Sequence, residues 1–186
     1  MDLVLFGIQG SGKGTQAKKL AADLGYSIFE TGGELRAIAA SGTELGNTIK
    51  SYIDAGNLAP LPLVMQVVKE AILHRPLTQK ILFDGIPRDI DQMIEFVNIM
   101  NAAGRSFQCV QLTLDDQTAF ARIQGRALEQ GRADDADEGT IRKRMQIFKE
   151  RTTPVIDAFR RDGNMIDVDG ARPVDEVYEE LKSMVQ

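Results

Sequence analysis

Apolar residues in this chain come in short runs separated by longer amphipathic stretches. Leu3–Phe6, Ser27–Glu30, Ile81–Asp84, Gln108–Thr113 and Met165–Val168 read as buried strands. The segments beginning at Lys13, Leu61, Ile90, Asp116, Thr140 and Pro173 read as helices. Strand–helix alternation at this spacing predicts βαβ units, and therefore an α/β fold with a parallel sheet and helices on both faces. No repeat or low-complexity segment interrupts it.

Two regions break the rhythm. Residues 31–59 hold short helical pieces separated by Gly42, Gly46 and Gly56, where a simple crossover would need one helix. Residues 123–137 are polar and carry Gly125, Gly131 and the Asp134-Asp135 pair. Both read as insertions at the rim of the sheet. Ligands of open α/β sheets sit outside the carboxyl ends of the strands, so such insertions can close over a substrate and exclude water.

Bulk properties narrow the class. The 186 residues, 43% of them hydrophobic, suffice for one compact domain. No apolar stretch is long enough to span a bilayer, and the first residues do not form a secretory leader. The single cysteine, Cys109, lies in an apolar run and reads as a buried structural thiol; one cysteine makes neither an internal disulfide nor a multi-cysteine zinc site. These features predict a cytoplasmic protein. The net charge of −5 argues against a broad nucleic-acid surface, yet Arg122, Arg126, Arg132, Arg142 and Arg144 crowd one stretch, so a locally positive cleft is expected.

The candidate chemistry starts directly after Leu3–Phe6, at Gly7-Ile8-Gln9-Gly10-Ser11-Gly12-Lys13-Gly14-Thr15. A strand running into a glycine-rich turn and then a helix aims backbone N–H groups and a helix N-terminus at one point, a site for phosphate. Lys13 adds a mobile positive charge for the outer phosphates of a nucleoside triphosphate. The general pattern puts Ser or Thr directly after the lysine; here Gly14 intervenes and the hydroxyl comes at Thr15. That spacing, and the lack of an Asn-Lys-x-Asp motif, weigh against a GTPase switch. Asp84 ends an apolar strand, the position from which an aspartate helps hold magnesium through its waters. Arg88 can pair bidentately with a phosphate, and Gln92 can present a planar amide to a base edge. Arg122 and Arg126 lie one helical turn apart, so a polyanion between them would offset their repulsion. His74, the sole histidine, sits at a helix end and is assigned no chemistry.

The string GKGTQ resembles the P-loop of nucleoside monophosphate kinases, and of adenylate kinases in particular. Asp84-Gly85-Ile86-Pro87-Arg88 with Gln92 resembles that family's DGFPR…Q signature. Phe29-Glu30-Thr31-Gly32-Gly33-Glu34-Leu35-Arg36 resembles STGDxLR, and Asp54-Ala55-Gly56-Asn57-Leu58-Ala59 resembles DGxLV. Arg122-Ile123-Gln124-Gly125-Arg126 resembles RIxGR, and Asp167–Val174 the closing VDGxxPVxxV. The likeness runs from Leu3 to Val177.

The resemblance implies a P-loop NTPase three-layer fold with a central five-stranded parallel sheet. It implies one kinase domain, 1–186, with core 1–30, 60–122 and 138–186, a monophosphate-binding insertion at 31–59 and a short lid at 123–137. Only five residues separate Arg126 from Arg132, so the lid is the short form without a structural zinc. The implied reaction is reversible transfer from Mg-ATP to AMP, giving two ADP. Gly10, Ser11, Gly12, Lys13, Gly14, Thr15, Arg122, Arg126 and Arg172 would bind ATP. Thr31, Arg36, Asn57, Leu58, Ala59, Gly85, Arg88, Gln92, Arg132 and Arg144 would bind AMP. Lys13, Arg88, Arg122, Arg126, Arg132 and Arg144 would act in catalysis, with Thr15 and Asp84 organising Mg2+ largely through water. Partners are then ATP, AMP and ADP, with no nucleic acid and no membrane, and the protein is expected to be a monomer.

Three departures stand out. The motif's usual aspartate is Gly33, with Glu34 beside it as the candidate replacement; Ile86 stands where phenylalanine is usual; and Pro60-Leu61-Pro62 replaces a more polar stretch. They keep open a nucleotide-binding regulatory protein. A UMP or CMP kinase shares the P-loop and short lid, but such kinases typically carry alanine at the position of Thr31, so Thr31 and Gln92 favour AMP.

Overall fold

The computed structural model describes residues 1–130 and 137–185. Five parallel strands form one sheet in the order β2-β3-β1-β4-β5: β1 (Asp2–Phe6), β2 (Ser27–Glu30), β3 (Ile81–Asp84), β4 (Phe107–Thr113) and β5 (Met165–Asp169). All five predicted strands are present, three of them longer by a residue. The helices are α1 (Lys13–Leu24), α2 (Thr31–Ala39), α3 (Glu44–Asp54), α4 (Leu61–Leu73), α5 (Ile90–Ala102), α6 (Asp116–Gln130), α7 (Glu138–Ile147), α8 (Thr153–Arg161) and α9 (Val174–Val185). None of the described helices is long and apolar enough to cross a membrane.

Period-two alternation along β1 explains the three layers. Leu3 and Leu5 face one side of the sheet, with Leu82, Val110 and Val168, and pack on Ala17 and Leu20 of α1 and Val177 and Leu181 of α9. Val4 and Phe6 face the other, with Phe29, Phe83 and Cys109, and pack on Val68 of α4, Phe96 of α5 and Phe159 of α8. Six phenylalanines run in ring contact across that second face, Phe29–Phe83–Phe96–Phe107–Phe159–Phe6, with centroids 5.1–5.9 Å apart. Cys109 is buried there, and burial pushes its thiol up, as a structural thiol requires.

Capping sets the helix ends. The Asp89 carboxylate accepts from the Gln92 N–H at 2.9 Å to open α5, and the Asp137 carboxylate accepts from Thr140 N–H at 2.7 Å to open α7. Thr43 opens α3 by accepting from the Gly46 N–H at 3.0 Å. Gly46 therefore does not separate two pieces of residues 31–59: it lies inside α3. A side chain there would stand 2.5 Å from the Ile38 carbonyl, so Gly46 is what lets α3 close against α2. Pro60 and Pro62 bracket the start of α4, a helix start of the kind expected for this stretch.

One element lies outside the predicted set. The helical path from Glu138 runs through a π turn, Phe148–Thr152, and continues as α8. Pro154 has no N–H to continue the regular ladder, and the turn before it widens.

At the amino edge of the sheet, Asp2 and Arg105 form a buried two-bond pair, Nε–Oδ2 2.7 Å and Nη2–Oδ1 3.1 Å, with side chains 4% and 3% exposed. Asp2 also accepts from the Ile81 N–H at 2.8 Å, and Arg105 donates to the carbonyls of Arg75, Pro76 and Gln79. The pair thus ties β1 to β3 and to the chain entering β4. Arg105→Leu would strand the buried carboxylate, and we expect it to cost about 3–5 kcal/mol. Urea unfolding at neutral pH measures it, and a loss below 1 kcal/mol would contradict this account.

Candidate active site

The carboxyl ends of β1, β2 and β3 meet at one edge, where the strand order places the switch point beside β1. After β1 the chain forms the glycine loop and enters α1. Gly12 caps that helix at φ +97, a left-handed conformation suited to glycine, and offers no side chain to the first turn. The first turn also holds no acidic residue, so its N–H groups and positive dipole face outward for an anion. Lys13 Nζ folds back onto the loop, donating to the carbonyls of Gly7 (2.8 Å) and Ile8 (3.3 Å). Ser11 is buried behind the loop, while Gly14 and Thr15 are exposed at its mouth.

Asp84 ends β3 and is 9% exposed. Burial pushes its carboxyl up; the charges of Lys13, Arg88 and Arg126 oppose this, and Glu30 adds to it. Desolvation pushes Lys13 down, with Asp84 opposing and Arg88, Arg126 and Arg144 adding to the fall. Arg88 is pushed down by burial and then by Arg144. Lys13, Arg88, Arg126 and Arg144 thus share one weakly solvated space around Asp84, which favours a polyanion.

Beside this cluster opens a pocket. Its walls include Lys13, Thr31, Arg36, Asn57, Leu58, Ala59, Gly85, Arg88, Gln92 and Arg144, so every described residue of the expected acceptor set meets there. Cationic side chains (Lys13, Arg36, Arg88, Arg144) share this lining with apolar and amide groups. Gln92 is 2% exposed, and its Oε1 accepts from the Arg88 N–H at 2.9 Å, which leaves the Nε2 donors for an occupant. Thr31 Oγ1 is buried without a hydrogen-bond partner among the described residues, as expected of a group that awaits a ligand. Arg88 Nε donates to the Gly85 carbonyl at 2.9 Å and folds over Gly85, whose φ is +84.

Phe148 and Thr152, from the π turn, also line this pocket, and Thr152 Oγ1 donates to the Arg88 carbonyl at 2.8 Å. Sequence periodicity gave no sign of either; Pro154 is the single cue, marking where the ladder is interrupted. Lys143 Nζ donates to the Ala55 carbonyl at 2.8 Å, and Gly56 packs against Thr140, so α7 meets the 31–59 segment over the pocket.

Of the remaining candidates, Arg122 donates to the carbonyls of Gly10 (3.4 Å) and Gly170 (3.0 Å), tying α6 to the glycine loop. Arg172 pairs its side chain with Glu180. Arg142, counted by sequence among the arginines of a positive cleft, instead pairs with Glu138 and lies over the Phe120 ring at the surface. Arg132, Asp134 and Asp135 lie outside the described residues.

No three metal-binding side chains gather among the described residues. A cation carried by a triphosphate needs no such cage, because magnesium keeps waters and takes one or two carboxylates plus phosphate oxygens. Asp84 and Thr15 are hard oxygen donors, and the buried Asp84 carboxylate favours a nearby positive charge. The residues therefore fit the ion.

The sequence matches the family model described as Adenylate kinase over residues 5–164. The chain belongs to the adenylate kinase family. It is 36% identical over 187 residues to the adenylate kinase of Stenotrophomonas maltophilia strain R551-3, covering 100% of both chains. It is also 36% identical over 182 residues to that of Clavibacter michiganensis subsp. michiganensis, covering 97% of this chain and 90% of the relative. Adenylate kinase 1 of Synechocystis sp. is 36% identical over 185 residues, with 99% and 96% covered. As in other chains named adenylate kinase, the likeness spans nearly the whole length.

Within the pocket, Gly85 leaves little room for a side chain. A Cβ there would stand 2.8 Å from Arg88 Nη2, on a backbone conformation that costs an L-residue about 1–2 kcal/mol. We expect Gly85→Ala to raise the acceptor KM at least tenfold through displacement of Arg88, while the ATP KM moves little. Steady-state kinetics in both substrates checks this; equal changes in the two would refute it.

Proposed function

We propose that the protein transfers a phosphoryl group reversibly from Mg-ATP to AMP, giving two ADP. The observation that carries this reading is the juxtaposition of an uncapped helix N-terminus at the glycine loop with a pocket lined by Lys13, Arg36, Arg88 and Arg144 together with Thr31 and Gln92. A triphosphate and a monophosphate would then meet across Arg88 and Lys13.

The division of labour follows from where each group sits. The loop Gly10, Ser11, Gly12, Lys13, Gly14 and Thr15 receives the ATP phosphates at the amides of α1. Arg122 and Arg126 lie over that loop on α6, and the backbone at Arg172 borders the adenine. Arg36 and Arg88 receive the AMP phosphate, and Arg144 serves both phosphate groups; Arg132, expected to assist them, lies outside the described residues. Thr31, Gln92 and the Asn57-Leu58-Ala59 turn take the adenine of AMP. Thr15 and Asp84 would hold magnesium largely through water; when bound, it shields the triphosphate charge and aligns it. Little covalent work remains for the protein: positioning supplies the near-attack geometry, and the arginines neutralise charge that develops on the transferred group.

Residues 31–59 act as the monophosphate-binding insertion and 123–137 as the short lid, and their closure keeps water from serving as acceptor. The protein is read as a monomer of the cytoplasm. The departures at Ile86 and Pro60–Pro62 fit this reading, since Ile86 is buried in the core beside Phe29 and Phe83, and the prolines open α4. A regulatory role without transfer is thereby less favoured.

A coupled assay of ADP formation with Mg-ATP and AMP, UMP, CMP, GMP or no acceptor tests the proposal. Turnover with AMP is expected to exceed the others at least tenfold; preference for UMP or CMP would overturn the roles of Thr31 and Gln92. Arg88→Ala is expected to lower turnover at least ~100-fold, by analogy with the loss of one oriented donor to developing charge. Near-normal turnover would remove Arg88 from the mechanism.

A further inference from the structure

Glu30 is the last residue of β2 and the register partner of Asp84, so two carboxylates stand side by side at the working edge of the sheet. They live differently. Asp84 is buried, whereas the Glu30 side chain is 49% exposed and turns toward the first turn of α2. There its Oε1 accepts from Arg36 Nη2 at 2.8 Å, which occupies an arginine that lines the pocket.

The glycines of this turn make the arrangement possible. A Cβ on Gly33 would stand 3.3 Å from Glu30 Oε2 and 3.5 Å from its Cδ. A Cβ on Gly32 would stand 3.0 Å from Arg36 Nη1. The carboxylate and the guanidinium therefore lie over a helix start cleared of side chains. An aspartate at position 33 would direct its own carboxylate into the space that Glu30 fills. Glu34, the neighbour of Gly33 in sequence, is exposed and is not among the pocket-lining residues. It is not the replacement that adjacency suggested.

We propose that Glu30 is the resident counter-ion of the acceptor-phosphate site: it holds Arg36 until a monophosphate displaces it, and so sets acceptor affinity. The seat over α2 is within reach of a carboxylate from position 30 and of one from position 33. This rests on the reading of the pocket as a monophosphate site. Glu30 also acts on Asp84 and Arg88 by charge, raising both, as a carboxylate close to the phosphate position does. A phosphate dianion entering beside Glu30 meets like charge, and each carboxylate in the seat weakens its binding.

The number of carboxylates in the seat then predicts an ordered series. Glu30→Gln, with none, is expected to tighten AMP binding about three- to tenfold and to make inorganic phosphate a stronger competitor against AMP. Gly33→Asp, with two, is expected to weaken AMP binding by a similar factor. Glu30→Gln/Gly33→Asp, with one again, should return to within about twofold of the parent chain, although each single change moves the other way. The ATP KM should stay within about twofold throughout, and the spread between variants should shrink at high salt.

AMP affinity is measured by titration calorimetry without ATP, and KM and kcat by ADP formation. The series fails if Glu30→Gln leaves AMP affinity unchanged or weaker, or if the double variant is no nearer the parent than the single ones. The reading of the pocket is tested separately, by transfer to AMP in the parent chain. Where AMP does not bind the parent, that reading falls, and the ordering of the four chains in inorganic phosphate affinity then decides the fate of Glu30. Gly33→Asp adds rather than removes a group, so it keeps the test alive if Glu30→Gln folds poorly.

Discussion

Five strands that run the same way must each be returned to the starting edge by a helix, and that requirement organises everything else in the molecule. It buries both faces of the sheet, which is why Leu3 and Leu5 meet α1 and α9 while Val4 and Phe6 meet α4, α5 and α8. It also brings every strand's carboxyl end to one edge. The glycine loop after β1, Glu30 at the end of β2 and Asp84 at the end of β3 become neighbours although far apart in sequence. Ladder hydrogen bonds fix their spacing, and the Asp2–Arg105 pair fastens the opposite edge. The site is thus held by rigid elements, as positioning chemistry requires.

Charge is the second constraint. Lys13, Arg36, Arg88, Arg126 and Arg144 surround two carboxylates, and burial works against the charged forms of Lys13, Arg88 and Asp84. The protein offsets part of this cost internally. Lys13 rests on the carbonyls of its own loop, Arg88 on that of Gly85, and Arg36 on Glu30. Under the proposed function, a phosphate oxygen replaces each of these contacts. Binding energy from the phosphates then does two things at once: it orients the reactants and relieves a desolvated excess of positive charge.

Missing side chains matter as much as present ones. Gly85 leaves room for the guanidinium of Arg88, Gly46 lets α2 and α3 touch, and Gly32 with Gly33 clears the seat used by Arg36 and Glu30. Beside Gly33, where the family motif would carry an aspartate, the carboxylate present is that of Glu30, paired with Arg36.

The order and type of nearly every element, both faces of the sheet, the glycine loop and the family were legible in the linear chain. These rest on local regularities: the two-residue alternation of strands, the helical period, and contiguous motifs such as Gly7–Thr15 and Asp84–Arg88. Which side chains meet was left to packing. It turned Arg142 outward onto Phe120, used the carbonyl of Gln92 for the Arg88 backbone, brought Phe148 and Thr152 into the pocket, and paired Arg36 with Glu30 rather than leaving the role to Glu34. It also placed Gly46 inside a helix where composition suggested a break. The physical reason is the same in each case. A partner chosen by packing across the sheet edge or around a helix start leaves no period in the chain, because its position depends on the summed geometry of every element between.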